Sequence, residues 1–326
     1  MTSHGQLDRR TVLMAGIAAA LPGAVQAQAA YPNRPIRLLV GFSAGGGVDA
    51  MARMLAPRLG ALLGQQVVVD NRAGAAGLIA GDATAKAAPD GYTMMLADSS
   101  LLIAQYLQPR MSFDPIKSFT PVAAVFMMPL AIIVGNDFPA HTPQEFVDLL
   151  KANPAQYSFA SSGVGTVQHL GFEMLKRRTG TFVVHIPYRG AAQIVPDVIG
   201  GAVPIGVVSV SAAIAQARAG KLRALALMNP ARLPGAEDIP SLSDVLPGFS
   251  AVPRLFLLLP TGTPAAIVER LSEAVGAVMG APDMAQTSAQ QGAVPAYLAA
   301  GAAATDLARE SAMWAQVIRE QRISNQ

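Results

Sequence analysis

From position 36 onward, short β-branched or aliphatic runs alternate with longer amphipathic stretches, and few folds accommodate that alternation. Residues 36–40 read as a buried strand. Residues 49–63 read as a helix with Met51, Leu55, Leu59, Leu62 and Leu63 along one stripe. A strand over 66–69, a helix over 78–87, the turn Pro89-Asp90-Gly91 and a strand over 92–96 complete a βαβαβ unit. Such a unit builds a parallel sheet covered by helices. The middle of the chain repeats the theme with strands over 131–134, 157–160, 183–186, 203–208 and 222–227. Thr142-Pro143-Gln144-Glu145 is a capping box with Pro at the first helical position, so a helix runs from there to 152. Further helices are expected over 167–179, stopped by Gly180, over 190–199, and over 211–218, ended by Gly220. A strand over 255–259 returns to the first pattern, and Thr263-Pro264 opens a last run of helices that carries Trp314. The order predicts an α/β protein of two lobes joined by two crossing strands, 30–125 plus 253–326 forming lobe 1 and 126–252 lobe 2.

Composition narrows the function. A chain of 326 residues exceeds one ordinary compact domain, and 52% hydrophobic against 14% charged residues excludes an intrinsically disordered chain. The net charge is only +3, and no basic cluster exceeds Lys176-Arg177-Arg178, so nucleic acid is not an expected partner despite a pI near 9.3. There is no cysteine, which rules out disulfides, thiolate nucleophiles and a lipid-modified N-terminal cysteine. The first 29 residues resemble an export signal: Arg9-Arg10, an apolar stretch over 11–25, then Ala27-Gln28-Ala29 as a small-x-small cleavage site. The paired arginines suit twin-arginine export, and Sec export also fits. The apolar stretch falls short of the roughly 20 residues that span a bilayer, so a soluble periplasmic protein starting near Ala30 is expected.

Two loops carry the chemistry. Gly41-Phe42-Ser43-Ala44-Gly45-Gly46-Gly47-Val48-Asp49 lies between a strand and a helix, as does Ser161-Ser162-Gly163-Val164-Gly165-Thr166. Glycines let backbone approach a ligand, and the free N–H groups of the following helix favour an anion. Both loops are expected at the carboxyl edge of a sheet, where open α/β folds bind ligands. Two enzyme readings compete. Gly41-Phe42-Ser43-Ala44-Gly45 fits a G-x-S-x-G nucleophile elbow, but only His141, His169 and His185 follow it as candidate bases for a serine hydrolase. Gly45-x-Gly47-x-x-Ala50 with Asp70 fits a loose dinucleotide fingerprint, which would make the chain an exported NAD(P)-dependent oxidoreductase. No metal-binding or P-loop motif is present.

In this order, the motifs Tyr31-Pro32-Asn33-Arg34-Pro35-Ile36, Gly46-Gly47-Val48-Asp49, Val69-Asp70-Asn71-Arg72-Ala73-Gly74, Pro89-Asp90-Gly91-Tyr92-Thr93, Ser162-Gly163-Val164-Gly165-Thr166 with His169, Ile186-Pro187-Tyr188-Arg189-Gly190 and Ala219-Gly220-Lys221-Leu222-Arg223 resemble the extracytoplasmic solute receptors of the tripartite tricarboxylate transporter system, the Bug/TctC family. The resemblance implies a type II periplasmic-binding-protein fold, no cofactor, no catalysis, a small carboxylate ligand, membrane transporter subunits as partners and a monomeric receptor. It places Phe42, Ser43, Gly46, Gly47, Ser162, Gly163, Gly165 and Thr166 around the ligand's carboxylate, with His169 beside them and Asp49 orienting the first loop or meeting a ligand amine or hydroxyl. Ser99, Ser100, Tyr188, Ser209 and Val210 would face the variable end of the ligand. Two positions depart from the family pattern: Pro204 stands where an acidic residue is common, and no Trp occurs around Pro253, Arg254 and Leu255.

Overall fold

The computed structural model describes residues 1–2, 31–108, 110–230, 232–320 and 323. The export signal expected over 1–29 lies outside them, apart from Met1 and Thr2. The first sheet grows from β1 (Ile36–Val40), β2 (Val67–Asn71) and β3 (Thr93–Asp98), with β1 parallel to both of the others. Helices α1 (Gly47–Leu63), α2 (Leu78–Ala85) and α3 (Ser100–Leu107) follow these strands in turn. β4 (Phe119–Met127) then leads through Met128 and Pro129 into β5 (Leu130–Val134), the first strand of a second sheet.

That second sheet has the order β7-β6-β8-β5-β9, using β6 (Ser158–Ser161), β7 (Val184–Pro187), β8 (Ile205–Ser209) and β9 (Arg223–Leu227). Its helices are α4 (Pro143–Ala152), α5 (Val167–Thr179), α6 (Ala191–Ile199) and α7 (Val210–Arg218). The ends of α5 show why local sequence suffices for such an element. Thr166 Oγ1 accepts the His169 amide at 3.3 Å, and Gly180 closes the helix in the left-handed conformation that glycine adopts without strain.

The chain returns through β10 (Arg254–Pro260), which inserts antiparallel between β3 and β4, and finishes with α8 (Ala265–Met279), α9 (Met284–Gln290), β11 (Val294–Ala299) and α10 (Ala300–Glu320). The first sheet therefore reads β11-β4-β10-β3-β1-β2. Three elements of the first lobe, α3, β4 and β11, have no counterpart in the sequence pattern read above. The final helix joins the lobes. Its stripe places Ala303 and Leu307 in a core cluster of the first lobe, and Trp314 and Ile318 in that of the second. Ile103 and Leu107 of α3 enter the second cluster as well, so these two helices line the seam.

Candidate functional site

The carboxyl ends of β1 and β3 lie side by side, and β10 starts at the same edge, since Leu255 pairs with Asp98. This edge faces the edge of the second sheet where β6 and β8 end. Between them is a narrow cleft with about 440 Å³ of empty space, part of it open to solvent. The first lobe contributes Phe42, Ser43, Gly46, Gly47 and Val48 from the β1–α1 loop, Asp98 from β3, and Pro253 and Leu255 from the return crossing. The second contributes Ser162, Gln168, Gly190, Ala191, Ser209 and Leu130, with Met128 between the sheets.

The lobes are in contact. A Cβ built on Gly47 would lie 2.4 Å from Ser209 Oγ and 2.7 Å from Ser209 Cβ, and one on Gly190 would lie 2.2 Å from Ser43 Oγ. Glycine stands at both positions because nothing larger permits this approach. The amide of Val167, first residue of α5, donates to Ser100 Oγ at 3.3 Å, a hydrogen bond from one lobe to the other.

The first loop is shaped by Asp49, which is buried and not in the cavity wall. Its Oδ2 accepts the Gly45 amide at 2.8 Å and Arg53 Nε at 2.9 Å, and its Oδ1 accepts Asn71 Nδ2 at 2.9 Å. Asn71 also donates to Phe42 O at 3.0 Å, tying the loop to β2. Burial alone would raise the Asp49 pKa, but the hydrogen bonds from Arg53, Gly45 and Asn71 outweigh it and hold the carboxyl below the usual carboxylate range. The stability this group contributes is thus present above its unfolded pKa and is lost as pH falls through the lower folded value. Asp49→Ala is expected to cost about 2 kcal/mol of stability at neutral pH, because buried donors lose their acceptor. Chemical denaturation at pH 7 and pH 3 should show the gap shrinking at the lower pH; an equal gap at both would contradict this role.

The second loop rests on two imidazoles. Gly165 N–H donates to His169 Nδ1 at 3.3 Å, and His185 Nε2 meets Ser161 Oγ at 2.6 Å. Ser161 Oγ also accepts the Gly163 amide at 3.2 Å, and Thr166 Oγ1 donates to Gly163 O at 2.8 Å. The rings stack at 4.1 Å between centroids. Burial first, then Lys176, pushes His169 down to about 4; burial, His169 and Lys176 push His185 down to about 3, so both are neutral at physiological pH.

Of the residues singled out in the sequence, Phe42, Ser43, Gly46, Gly47, Ser162 and Ser209 line the cavity. Asp49, Gly163, Gly165, Thr166 and His169 stand behind the wall and shape the loops. Ser99 lies outside it too, donating to Glu310 Oε2 at 2.6 Å, and Ser100 holds the α5 terminus. Tyr188 donates its hydroxyl to Asp197 Oδ2 at 2.6 Å, and Val210 is buried in a core cluster of the second lobe. Gln168, Gly190 and Asp98 were not among the candidates. Gln168 and Gly190 flank expected site residues, but only closure of the lobes brings them to the cavity.

The arrangement suits binding of a negative group. Four helices begin at this cavity: Gly46 and Gly47 open α1, Gln168 lies in the first turn of α5, Gly190 and Ala191 open α6, and Ser209 precedes α7. Those of α1, α6 and α7 have no side-chain cap; the first amides of α1 and α6 are free to meet an anion, whereas that of α7, Val210, donates to Pro129 O at 3.0 Å. Among the described residues no Lys, Arg or His lines the cavity, and no group of three or more His, Cys, Asp or Glu side chains is suited to a metal ion. Ser43 Oγ has no hydrogen-bond partner and faces Gly190, so no general base accompanies it as a hydrolase would require.

Two sheets, a double crossing and a cleft between lobes define a type II periplasmic-binding-protein fold. The structure of periplasmic binding protein BugD superposes with a TM-score of 0.86 at 30% identity, covering 91% of this chain and all 100% of that one. An R. palustris protein with adipate gives 0.87 at 29% identity, covering 90% of this chain and 99% of its own, and MatC from Rhodopseudomonas palustris with bound malate gives 0.82 at 27%, covering 88% and 100%. BugT of Bordetella pertussis is 35% identical over 293 residues, 89% of this chain and 90% of BugT. A protein from the tcbD-tcbE intergenic region of Pseudomonas sp. strain P51 is 34% identical over 323 residues, 98% of this chain and 96% of its own. The family model of the tripartite tricarboxylate transporter family receptor matches residues 51–323, and the chain belongs to that family.

Proposed function

We propose that this receptor captures a small carboxylate in the periplasm by closing its two lobes on it, and delivers it to the membrane subunits of a tripartite transporter. One observation carries the reading: three helix N-termini without side-chain caps, α1 from one lobe and α6 and α7 from the other, meet at one cavity whose wall, among the described residues, contains no cationic side chain. Free first-turn amides and the positive ends of helix dipoles hold a carboxylate there without a counter-ion. A micromolar complex needs about 8 kcal/mol, and hydrogen bonds to a charged group supply about 1.5–3 kcal/mol each, so a few amides and hydroxyls reach that scale before ordering costs. The adipate and malate in the two R. palustris relatives support the same ligand chemistry. Periplasmic location is supported by BugD, and by the Arg9-Arg10 leader with its Ala27-Gln28-Ala29 cleavage pattern.

The test is a thermal-shift panel of mono- and dicarboxylates on protein stripped of ligand. A cognate carboxylate at 100 times its Kd adds about 2.7 kcal/mol and raises the melting temperature by several degrees, whereas its methyl ester does not. Silence across the panel at millimolar concentration would sink the reading.

A further inference from the structure

One side chain in the cavity wall does not suit an anion. Asp98 closes β3, is 4% exposed, and is the one ionisable group lining the cavity among the described residues. Its Oδ1 accepts the Ser100 amide at 3.0 Å. Burial pushes the Asp98 carboxyl up to about 6, hydrogen bonds from Ser100 pull it back, and Glu310 of α10 raises it again. Arg254, the nearest cation along β10, is engaged by Asp306 of α10 at 2.9 Å. Above pH 7 the cavity therefore holds a largely ionised carboxylate with no cation among the described residues of the wall to answer it. A second polar group is also waiting: the amide oxygen of Gln168, itself 8% exposed, is buried without a partner in the same wall. An amide can turn either end to a ligand, so Gln168 accepts any polar group, whereas an ionised Asp98 accepts only a donor.

We infer that Asp98 makes this receptor select a carboxylate that also carries a hydroxyl or ammonium group over a dicarboxylate of matching length. The inference rests on the carboxylate-receptor reading. With the ligand's first carboxylate held by helix N-termini, a donor elsewhere on it satisfies Asp98. A second carboxylate instead adds a like charge in a site that water leaves on closure. Of the ligands in the two R. palustris relatives, adipate is a plain dicarboxylate, whereas malate also carries a hydroxyl of the kind Asp98 would accept.

Isothermal titration calorimetry at pH 8 on ligand-stripped protein decides it, with succinate, 4-hydroxybutanoate and 4-aminobutanoate as one matched set and the corresponding six-carbon acids as another. The expected result is that a donor-bearing acid binds at least about tenfold tighter than its dicarboxylate, with the hydroxy and amino arms showing which donor is preferred. In Asp98→Asn, whose amide can donate, the preference should disappear or invert. A dicarboxylate bound as tightly as its matched partners by the wild type, or a preference unchanged in Asp98→Asn, overturns the inference and leaves the receptor reading standing. No binding by any member of either set overturns both. The wild-type ranking is decisive even where the variant does not fold.

Discussion

Gly47→Ala is expected to weaken ligand binding by about ten- to hundredfold while leaving the melting temperature of the ligand-free protein nearly unchanged. Gly47 opens α1 on one lobe, and the added methyl would meet Ser209 Oγ at 2.4 Å, Ser209 Cβ at 2.7 Å and Met128 Cε at 2.9 Å. The hydroxyl can rotate away but the Cβ cannot, so the lobes must part. Overpacking of this kind costs about 1–3 kcal/mol, and because only the closed form suffers, the cost appears as a smaller binding-competent fraction. Gly47 and Ser209 belong to neither lobe's core cluster, and Met128, a core residue of the first lobe, meets the methyl only with the flexible end of its side chain, which is why unliganded stability is largely spared. Ser209→Gly removes the opposing atoms, so the double variant should bind more tightly than Gly47→Ala alone. Calorimetry on the two single variants and the double variant measures this coupling. Small-angle scattering should show Gly47→Ala with a larger radius of gyration when ligand is present. Unchanged affinity in Gly47→Ala would mean that the approach of Gly47 to Ser209 is not part of capture.

Asp98→Asn is expected to raise stability by about 3 kcal/mol at pH 7–8, with the gain absent below about pH 4. The sign follows from the direction of the shift. Burial lifts the folded-state carboxyl to about 6 from an ordinary value of 3.8, so between those values the folded protein holds a proton that the unfolded chain has released. Wild-type stability then declines as pH rises from about 4 to 6 and stays lower above that, whereas asparagine is neutral throughout. Glu310 is the charged group facing Asp98 from α10; its own carboxyl is raised by burial first and then by Asp306, which acts in the same direction. Urea unfolding of both proteins at pH 3.5 and 8 checks this, and equal differences at the two pH values would refute it. A binding protein that keeps a destabilising acid in its ligand wall is trading stability for recognition, so saturating a donor-bearing ligand should narrow the gap at pH 8.

Much of the fold was legible because its signals are local. The helix over 167–179 was read with both ends correct, since Thr166 and Gly180 cap it within a few residues of sequence. Other elements carried no such signal. α3 is apolar all round, and β4 is buried on both faces and contains Pro121, so neither helical nor alternating periodicity marks them. β11 carries Pro295 and pairs only at the sheet's edge. At the site, Ser99 and Ser100 are expected at the ligand from the sequence, but Asp98 is the residue of that strand end that lines the cavity. At a strand end one residue of rotation decides which side chain meets the cleft and which meets α10, and alternation does not resolve it. Tyr188 was expected at the ligand, but Asp197, nine positions later on α6, takes its hydroxyl.

The sequence alone determined where the strands and helices it marks begin and end, because capping, glycine and proline act over a few residues; it pointed to free amides opening α1 and α5, of which those of α5 are taken by Thr166 and Ser100. Only the tertiary structure decided which of those free ends share one cavity, that Gly47 meets Ser209 and Gly190 meets Ser43, and that the stripe of α10 serves both lobes. Those facts are contacts between residues far apart in the chain, made when the lobes close, and no local pattern encodes a distance of that kind.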